Sequence, residues 1–241
     1  MSLDHKLVLI TGAARRVGRQ LALTVARAGG DVVIHYGQSQ ADAQSLCEEI
    51  QAMGKKAFLL QADLKDPSQV GTMIPRASEH GHLFALVNNA AIFETISWQS
   101  TTLEAWNHHL MVNLTTPFIL SQAFARLLPT GEPGRIVNLL DWRALRPGAD
   151  HLAYTISKSA LAALTCSLAV ALAPNISVNG LALGAVLPPS EGVEPPNILK
   201  NVPAGRWANL DEVGQTLIFL LEGPAYITGE IIHVDGGRHL V

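Results

Sequence analysis

A tyrosine, a lysine and an aspartate are spaced so that they could work together in proton transfer. Lys158 follows Tyr154 by four residues, which places both on one face of a helix, and Asp141 precedes that tyrosine by thirteen. A lysine ammonium favours the phenolate form of a nearby tyrosine and eases donation of its proton. An ionised Asp141 would act in the opposite direction, whereas a protonated Asp141 could itself donate. The sequence leaves both alternatives open.

Seven short apolar runs alternate with segments that are long enough to form helices. Continuous apolar runs predict strands covered on both faces, and the intervening helices favour right-handed crossovers between parallel strands. We therefore expect an α/β fold with a Rossmann-type, doubly wound, seven-stranded parallel sheet, in a single domain over residues 1–241. The predicted strands are residues 7–10, 32–34, 57–60, 83–87, 135–139, 176–178 and 231–234.

Two longer stretches, residues 103–128 and 152–173, predict helices. The second is apolar nearly all round and rich in alanine. A helix without a polar face must be covered on every side, and small residues allow another helix to approach closely. This stretch therefore predicts a subunit interface rather than a monomer.

A run of prolines interrupts the alternation of strands and helices after the sixth strand. Five prolines lie between Pro188 and Pro203, and proline supplies no hydrogen bond to a helix or a sheet. This composition predicts an irregular substrate flap at residues 186–205. A surface loop without a functional role is the alternative interpretation.

Composition restricts the classes of partner. The chain has 241 residues, 48% of them apolar, with 17 basic and 20 acidic residues and a formal net charge of -3. These values suffice for one large core and predict no surface for nucleic acid or for an anionic membrane. No apolar stretch reaches the roughly 18 uninterrupted residues that span a bilayer. We expect a small-molecule partner.

The cysteines and histidines bear on compartment and metal binding. Two cysteines without a Cys-x-x-Cys spacing, and an N-terminus without a signal-peptide pattern, predict a cytoplasmic protein. The histidine pairs lack further ligands at suitable spacing, so we expect no metal site.

A glycine-containing loop joins the first predicted strand to a helix predicted at residues 17–28. Gly12 and Gly18 lie at its two ends. Glycine permits a tight turn, and the N-terminal amides of the following helix attract phosphates. The loop predicts a dinucleotide site, and a plain turn is the alternative.

The ends of the next three strands indicate which dinucleotide is bound. An NAD site requires an acidic residue at the end of the second strand, and this strand has none. Arg15 and Ser39 could instead bind a 2′-phosphate, which favours NADPH. Asp63 could accept from the adenine amino group or cap the helix that starts near Pro67. Asn89 ends the fourth strand, at the switch point where such sheets bind dinucleotides.

The chain resembles the short-chain dehydrogenase/reductase family over nearly its full length. Five features coincide in order: the glycine loop, Asp63, the turn at residues 88–90, Tyr154 with Lys158, and the segment 228–237. The resemblance implies the sheet order 3-2-1-4-5-6-7, a nicotinamide cofactor and a homotetramer. The implied cofactor contacts are Gly12, Arg15, Arg16, Val17, Gly18, Ser39, Asp63, Leu64, Asn89, Ala90, Ala91, Tyr154, Lys158 and Gly184.

Within that family the chain is most similar to the pteridine reductases. As in those enzymes, Arg16 replaces the middle glycine of the loop and Asp141 replaces the active-site serine. The end of the second strand and Phe93 after the fourth strand also match. The resemblance implies NADPH-dependent reduction of a pterin or dihydropterin, dihydrofolate included. It further implies that Phe93 stacks on the ring and that Arg16 lies near the pterin and the phosphates.

On this basis we predict hydride transfer to a C=N carbon of the pterin while the Asp141–Tyr154 pair protonates the ring nitrogen. Lys158 would bind the nicotinamide ribose. Asn113 would hold a water molecule that connects Lys158 to solvent, although it could instead only kink a helix. Trp142 is a second candidate for stacking on the substrate.

Two other functions are open. A carbonyl reductase that acts on a ketone or a 3-oxoacyl thioester is the first, but the carboxylate of Asp141 would repel the developing alkoxide. A sensor that binds NADPH without turnover is the second, but it would be expected to lack Tyr154 or Lys158. Asp141 could also serve structure alone, as a partner of Arg143 or Arg146.

Overall fold

The structure, a computed structural model, describes residues 3–187 and 198–241. Its strands are β1 (Leu7–Ile10), β2 (Asp31–Tyr36), β3 (Ala57–Gln61), β4 (Leu83–Asn88), β5 (Gly134–Asp141), β6 (Ile176–Leu183) and β7 (Ile231–Val234). They form one parallel sheet in the order β3-β2-β1-β4-β5-β6-β7. The predicted fold class and strand order are therefore confirmed.

Helices connect the strands on both sides of the sheet. They are α1 (Arg16–Arg27), α2 (Gln40–Ala52), α3 (Pro67–Ser78), α4 (Leu103–Leu110), α5 (Thr116–Leu127), α6 (Leu152–Leu172) and α7 (Leu210–Glu222). Local sequence explains where several begin. Asp66 caps α3 by accepting from the Ser68 amide at 2.9 Å, and Pro67 occupies the first turn. The cap of α3 is thus Asp66, and the alternative that Asp63 provides it is wrong.

Two apolar layers lie on opposite faces of the sheet because successive strand side chains alternate in direction. In β1, Val8 and Ile10 pack into the layer beneath α1 and α7, while Leu7 and Leu9 pack into the layer beneath α3 and α5. All four side chains are buried. This double burial explains why the strand is a continuous apolar run rather than an alternating one.

The helix predicted at residues 103–128 is two helices. A π-helical turn, Met111–Thr115, separates α4 from α5, and Pro117 lies in the first turn of α5. Asn113, for which a kinked helix is the alternative interpretation, lies within the π-helical turn. Isolated π-helical turns of this kind are frequent at functional sites.

Helix α6 matches its predicted span to within one residue. By length and composition alone it could cross a membrane, and 39% of its most apolar window is buried inside the protein. Its inner face packs against β5 and β6. The core helix of a globular protein can have the same length and composition as a membrane span. Helix α6 also carries the buried, polar side chain of Lys158.

Residues 188–197, half of the predicted flap, lie outside the described residues. Where the description resumes, a short 3-10 helix spans Ile198–Asn201. The Ala204 amide then donates to the carbonyl of Gly236 at 3.0 Å, so the end of the predicted flap is attached to the segment that follows β7.

The sheet order brings the carboxyl ends of β1, β4 and β5 side by side. The glycine loop follows β1, Asn89 follows β4, and Asp141 is the last residue of β5. In an open parallel sheet, ligands bind in the crevice outside these ends, at the point where the strand order reverses. The crevice between β1 and β4 is that point.

Candidate active site

Tyr154 and Asp141 are in direct contact. Tyr154 lies in the first turn of α6, and its hydroxyl donates to Asp141 Oδ2 over 3.2 Å. The tyrosine is only 7% exposed. Burial raises the pKa of Tyr154 well above its usual value, and the charge and hydrogen bond of Asp141 raise it further. The phenol is therefore held in its protonated form in the free protein.

Lys158 follows one turn later and is also buried. Its Nζ donates to the Leu139 carbonyl oxygen of β5 at 2.6 Å and lies 6.0 Å from the centre of the Tyr154 ring. Burial lowers the pKa of Lys158 to about 8, although the charge of Asp141 acts in the opposite direction. A positive charge held in a dry environment acts strongly on its neighbours.

Asp141 has contacts on both of its carboxylate oxygens. Oδ2 faces Tyr154, whereas Oδ1 accepts from the backbone amide of Arg143 at 2.9 Å and lies 3.6 Å from Arg143 Nη1. Arg146 is directed elsewhere, to the carbonyl of Arg238 at 3.4 Å. The contact with Tyr154 and the contact with Arg143 are therefore both present, because a different carboxylate oxygen serves each one.

Asn113 connects the π-helical turn to two other parts of the site. Its Oδ1 accepts from the Ile92 amide at 2.9 Å, and its Nδ2 donates to the Ile92 carbonyl at 3.1 Å and to Ser157 Oγ at 3.0 Å. Ser157 donates in turn to the carbonyl of Tyr154. Asn113 thus holds the chain after β4 against α6. The water-holding role stays a prediction.

The glycine loop makes a tight turn that packs against α1 and the end of β4. Gly12 has φ +61°, which glycine adopts without strain, and its amide donates to Nδ1 of His35 at 2.9 Å. A Cβ on Gly18 would lie 2.2 Å from the Gly12 carbonyl oxygen. Asn89 Nδ2 donates to the carbonyl oxygens of Thr11 and Gly12 at 2.8 and 3.1 Å. The glycine loop therefore contacts both α1 and the end of β4. There is no room for a side chain at residue 18.

His35, near the end of β2, supports this loop from below, and the sequence used it only as part of a family match. It is 2% exposed, and burial lowers its pKa to about 4, so the ring is neutral. A neutral ring can accept from Gly12 through Nδ1 while Nε2 contacts the Ala62 carbonyl at 3.2 Å. This histidine joins β1, β2 and β3 beneath the predicted nucleotide site.

The predicted 2′-phosphate contacts lie at the outer edge of the loop. Arg15 is the N-cap residue of α1, makes no capping hydrogen bond in the described structure, and pairs with Asp42 at 2.6 Å. Ser39 precedes α2 as its N-cap residue. Arg16 is exposed and has φ +53°, and Val17 follows it in the first turn of α1. The N-terminal amides of α1 thus face the crevice with basic residues beside them, an arrangement that fits phosphate groups.

The other predicted cofactor contacts follow β3, β4 and β6. Asp63 is exposed and accepts from the Lys65 amide at 2.9 Å, while the next residue, Leu64, is buried. The Ala90 amide donates to Thr11 Oγ1 at 3.0 Å, which joins the end of β4 to the loop, and Ala91 beside it is exposed. Gly184 follows β6, where a Cβ would lie 2.6 Å from Asp235 Cα.

Phe93 is an exposed aromatic residue beside the tyrosine. It is 53% exposed, its ring centre lies 4.7 Å from that of Tyr154, and the two planes are nearly perpendicular. His151 stacks on Phe93 with 4.2 Å between centroids, and its Nδ1 contacts the Glu94 carbonyl at 3.0 Å. His151, which sequence reasoning missed, therefore orients Phe93. Its φ of +51°, at the N-cap of α6, is a backbone feature that no sequence pattern signals.

Trp142 is covered by cations rather than open for stacking. The guanidinium carbons of Arg143 and Arg238 lie 4.7 and 4.4 Å from its ring. Such cation–π contacts stabilise the turn after β5. Phe93 is consequently the better placed of the two stacking candidates.

Comparisons with known proteins agree with this geometry. A family model described as enoyl-(acyl carrier protein) reductase matches residues 12–239. The 3-oxoacyl-[acyl-carrier-protein] reductase of Synechocystis sp. is 31% identical to the chain, with 98% of each covered. The chain is a short-chain dehydrogenase/reductase.

Solved structures of the short-chain dehydrogenase/reductase family superpose closely on it. FolM alternative dihydrofolate reductase 1 from Brucella canis, complexed with NADP, is 34% identical with a TM-score of 0.92, over 100% of this chain and 97% of that one. A short-chain dehydrogenase from Burkholderia cenocepacia in complex with NADP is 35% identical with a TM-score of 0.92, over 99% of each chain. The overlap covers the whole sheet.

The sequence predicts no metal site at the histidines of this short-chain dehydrogenase/reductase. Across residues 3–187 and 198–241, no group of three or more histidine, cysteine, aspartate or glutamate side chains is arranged to hold a metal ion. His108 and His109 lie on α4, and His109 Nδ1 contacts the Ala105 carbonyl at 2.8 Å.

Proposed function

We propose that this short-chain reductase uses NADPH to reduce a C=N bond in a pterin-like ring such as that of dihydropterin or dihydrofolate. The observation that carries the proposal is the 3.2 Å contact between the Tyr154 hydroxyl and the Asp141 carboxylate. A ring nitrogen that becomes electron-rich needs a proton, and the Tyr154 hydroxyl of the Asp141–Tyr154 pair, which keeps its proton, is suited to supply it. A carboxylate beside a developing alkoxide would instead raise the barrier.

The residues around the glycine loop fit NADPH. Gly12, Gly18 and the N-terminal amides of α1 would hold the pyrophosphate. Arg15 and Ser39 would hold the 2′-phosphate, for which Arg15 must exchange its ion pair with Asp42. The bound cofactor would supply the hydride. The NADP complexes of the Brucella and Burkholderia proteins support this assignment.

The protonation states of the site suit a proton donor. Tyr154 keeps its proton because burial and Asp141 both raise its pKa. Lys158, which would bind the nicotinamide ribose, adds a buried positive charge behind the phenol. As the proton leaves, this charge stabilises the oxygen left behind. Asn113 would hold the water through which the site regains a proton.

The substrate would bind against Phe93. Flat heteroaromatic rings bind well on aromatic faces, and Phe93 is exposed while His151 fixes its orientation. Arg16 would lie near the pterin and the phosphates.

A 3-oxoacyl thioester is the second candidate substrate. It is favoured by the curated relatives named 3-oxoacyl-[acyl-carrier-protein] reductase, at 31% identity over nearly the whole chain. Against it stands Asp141, which would face the carbonyl oxygen with a negative charge. A non-catalytic NADPH sensor is the remaining alternative.

A parallel assay separates these functions. NADPH absorbance is followed with dihydrobiopterin, with dihydrofolate and with a 3-oxoacyl thioester, for the wild type and for Asp141→Ser. We expect oxidation with at least one of the two pterins and its loss in Asp141→Ser. Oxidation with the thioester alone would overturn the pterin assignment, and NADPH binding without turnover of any substrate would indicate a sensor.

A matched pair of variants tests the substrate surface. Phe93→Ala should raise KM for the pterin about 2- to 10-fold, the size expected for one aromatic stacking contact. Trp98→Ala removes another exposed aromatic side chain nearby in sequence and should leave KM unchanged. Equal effects of both variants would contradict the assignment of Phe93.

The protein would act as a cytoplasmic homotetramer. The outer faces of α5 and α6 carry exposed apolar side chains that a second copy would cover, among them Phe118, Ile156 and Val170. Free thiols at Cys47 and Cys166 suit a reducing compartment. Light scattering should give four times the mass of one chain, and Val170→Glu should reduce it. A wild-type monomer would overturn this part of the proposal.

A further inference from the structure

Arg143 holds one side of the Asp141 carboxylate. Its backbone amide donates to Oδ1 at 2.9 Å, and its Nη1 lies 3.6 Å from the same oxygen. Both side chains are largely shielded from water, at 15% and 16% exposure. With Oδ1 engaged in this way, Oδ2 is the oxygen that faces Tyr154.

Arg143 is itself held from two sides. Its Nη2 donates to Asp150 Oδ2 at 2.9 Å, and its guanidinium lies 4.7 Å from the Trp142 ring. Arg238, in the 3-10 turn after β7, lies against the same ring. These contacts fix the guanidinium relative to β5, since Trp142 directly follows Asp141. The pKa of Arg143 is raised by the hydrogen bond and charge of Asp150 and by the charge of Asp141, against the effect of burial, so its charge is retained.

We propose that Arg143 is a positioning residue, which orients the Asp141 carboxylate toward Tyr154 and compensates the negative charge that an aspartate brings to this position. The inference rests on the proposed roles of Asp141 and Tyr154 in proton delivery. A serine hydroxyl would carry no charge and would need no such partner. Without Arg143, the aspartate in this largely dry site would keep Lys158 as an opposite charge but would lose the guanidinium beside Oδ1.

The test is a double-mutant cycle on kcat. If Arg143 acts through the Asp141 carboxylate, Arg143→Gln should lower kcat about tenfold in the wild-type background and have almost no effect in Asp141→Asn. A residue that only stabilises the fold would lower activity by the same factor in both backgrounds. Arg143→Lys, which keeps the charge, should recover part of the lost kcat.

Controls separate this effect from misfolding and from cofactor loss. Arg146→Gln removes a neighbouring exposed guanidinium that donates to the Arg238 carbonyl, and kcat should stay at the wild-type value. NADPH affinity, measured by fluorescence, should be the same in all of these variants. Multiplicative losses in the double mutant, or equal losses in Arg143→Gln and Arg146→Gln, would overturn the proposal.

The cycle does not depend on the identity of the substrate. It is run with whichever of the pterins or the thioester the wild type reduces. Failure of the pterin assignment would appear as absent pterin turnover, whereas failure of the Arg143 inference would appear as additivity on the substrate that is used.

Discussion

Lys158→Met should remove a pH-dependent contribution to the unfolding free energy. Burial lowers the pKa of Lys158 from 10.5 to about 8. At pH values below 8 the folded state must keep a buried charge, which is unfavourable. Between pH 8 and 10.5 the folded lysine has lost its proton while the unfolded lysine still holds it, so folding becomes easier as the pH rises. The wild type should therefore gain stability relative to the variant over this range.

The size of this effect follows from the two pKa values. A lysine pKa lowered from 10.5 to about 8 corresponds to about 3 kcal/mol of destabilisation at pH 7, of which about 2 kcal/mol is recovered by pH 9.5. Methionine fills a similar volume without a charge. The variant lacks the 2.6 Å hydrogen bond from Lys158 to the Leu139 carbonyl oxygen, which lowers its free energy of unfolding by about 1 to 3 kcal/mol at every pH. The pH dependence, rather than the stability at one pH, is therefore the decisive quantity.

The assay is urea unfolding of both proteins at pH 7 and pH 9.5. The free energy of unfolding of the wild type minus that of Lys158→Met should increase by about 2 kcal/mol between these values. Lys200→Met, at an exposed lysine, should give a difference that is the same at both pH values. A difference for Lys158→Met that stays constant or decreases with pH would refute the reasoning.

Three further predictions concern the reaction and the cofactor. Tyr154→Phe should lower kcat about 10²- to 10⁴-fold, as expected for loss of a proton donor. Fluorescence titration should show an unchanged NADPH affinity. A variant with wild-type kcat would exclude Tyr154 as the donor. Gly18→Ala should abolish the NADPH fluorescence change, because the added methyl group would meet the Gly12 carbonyl at 2.2 Å, and normal binding would contradict the loop geometry. Asp42→Asn should tighten NADPH binding but not NADH binding, because it releases Arg15 from a 2.6 Å ion pair; equal effects on both cofactors would argue against a 2′-phosphate contact.

The strands were predictable because burial on both faces leaves a continuous apolar run. The clearest shortfall is β6, predicted at residues 176–178 and observed over Ile176–Leu183. The rest of this strand could not be predicted, because it begins with Asn179 and Gly180 and neither residue type is typical of a strand. In the fold the Asn179 side chain donates to the Ile227 carbonyl and accepts from the Glu230 amide, so a polar residue is accommodated by partners about 50 positions away.

Local spacing also explains which parts of the site could be predicted. Tyr154 and Lys158 lie one turn apart on one helix, so their proximity follows from helical geometry. The contact of His35 with Gly12 joins two strands, and the stacking of His151 on Phe93 joins two loops. Contacts of this kind depend on the order of strands in the sheet. The spacing of neighbouring residues along the chain does not predict that order.

Charge accounts for how an aspartate is tolerated beside the phenol. Asp141 lies between Lys158 and Arg143, and Arg143 is paired in turn with Asp150. Opposite charges therefore alternate from the end of β5 to the start of α6, which offsets the desolvation of each member. Removing Asp141 alone would leave both Lys158 and Arg143 without the opposite charge of this carboxylate. Asp141→Ser should consequently lose stability as well as pterin turnover, and Arg143→Gln added to it should restore part of that stability while leaving activity low.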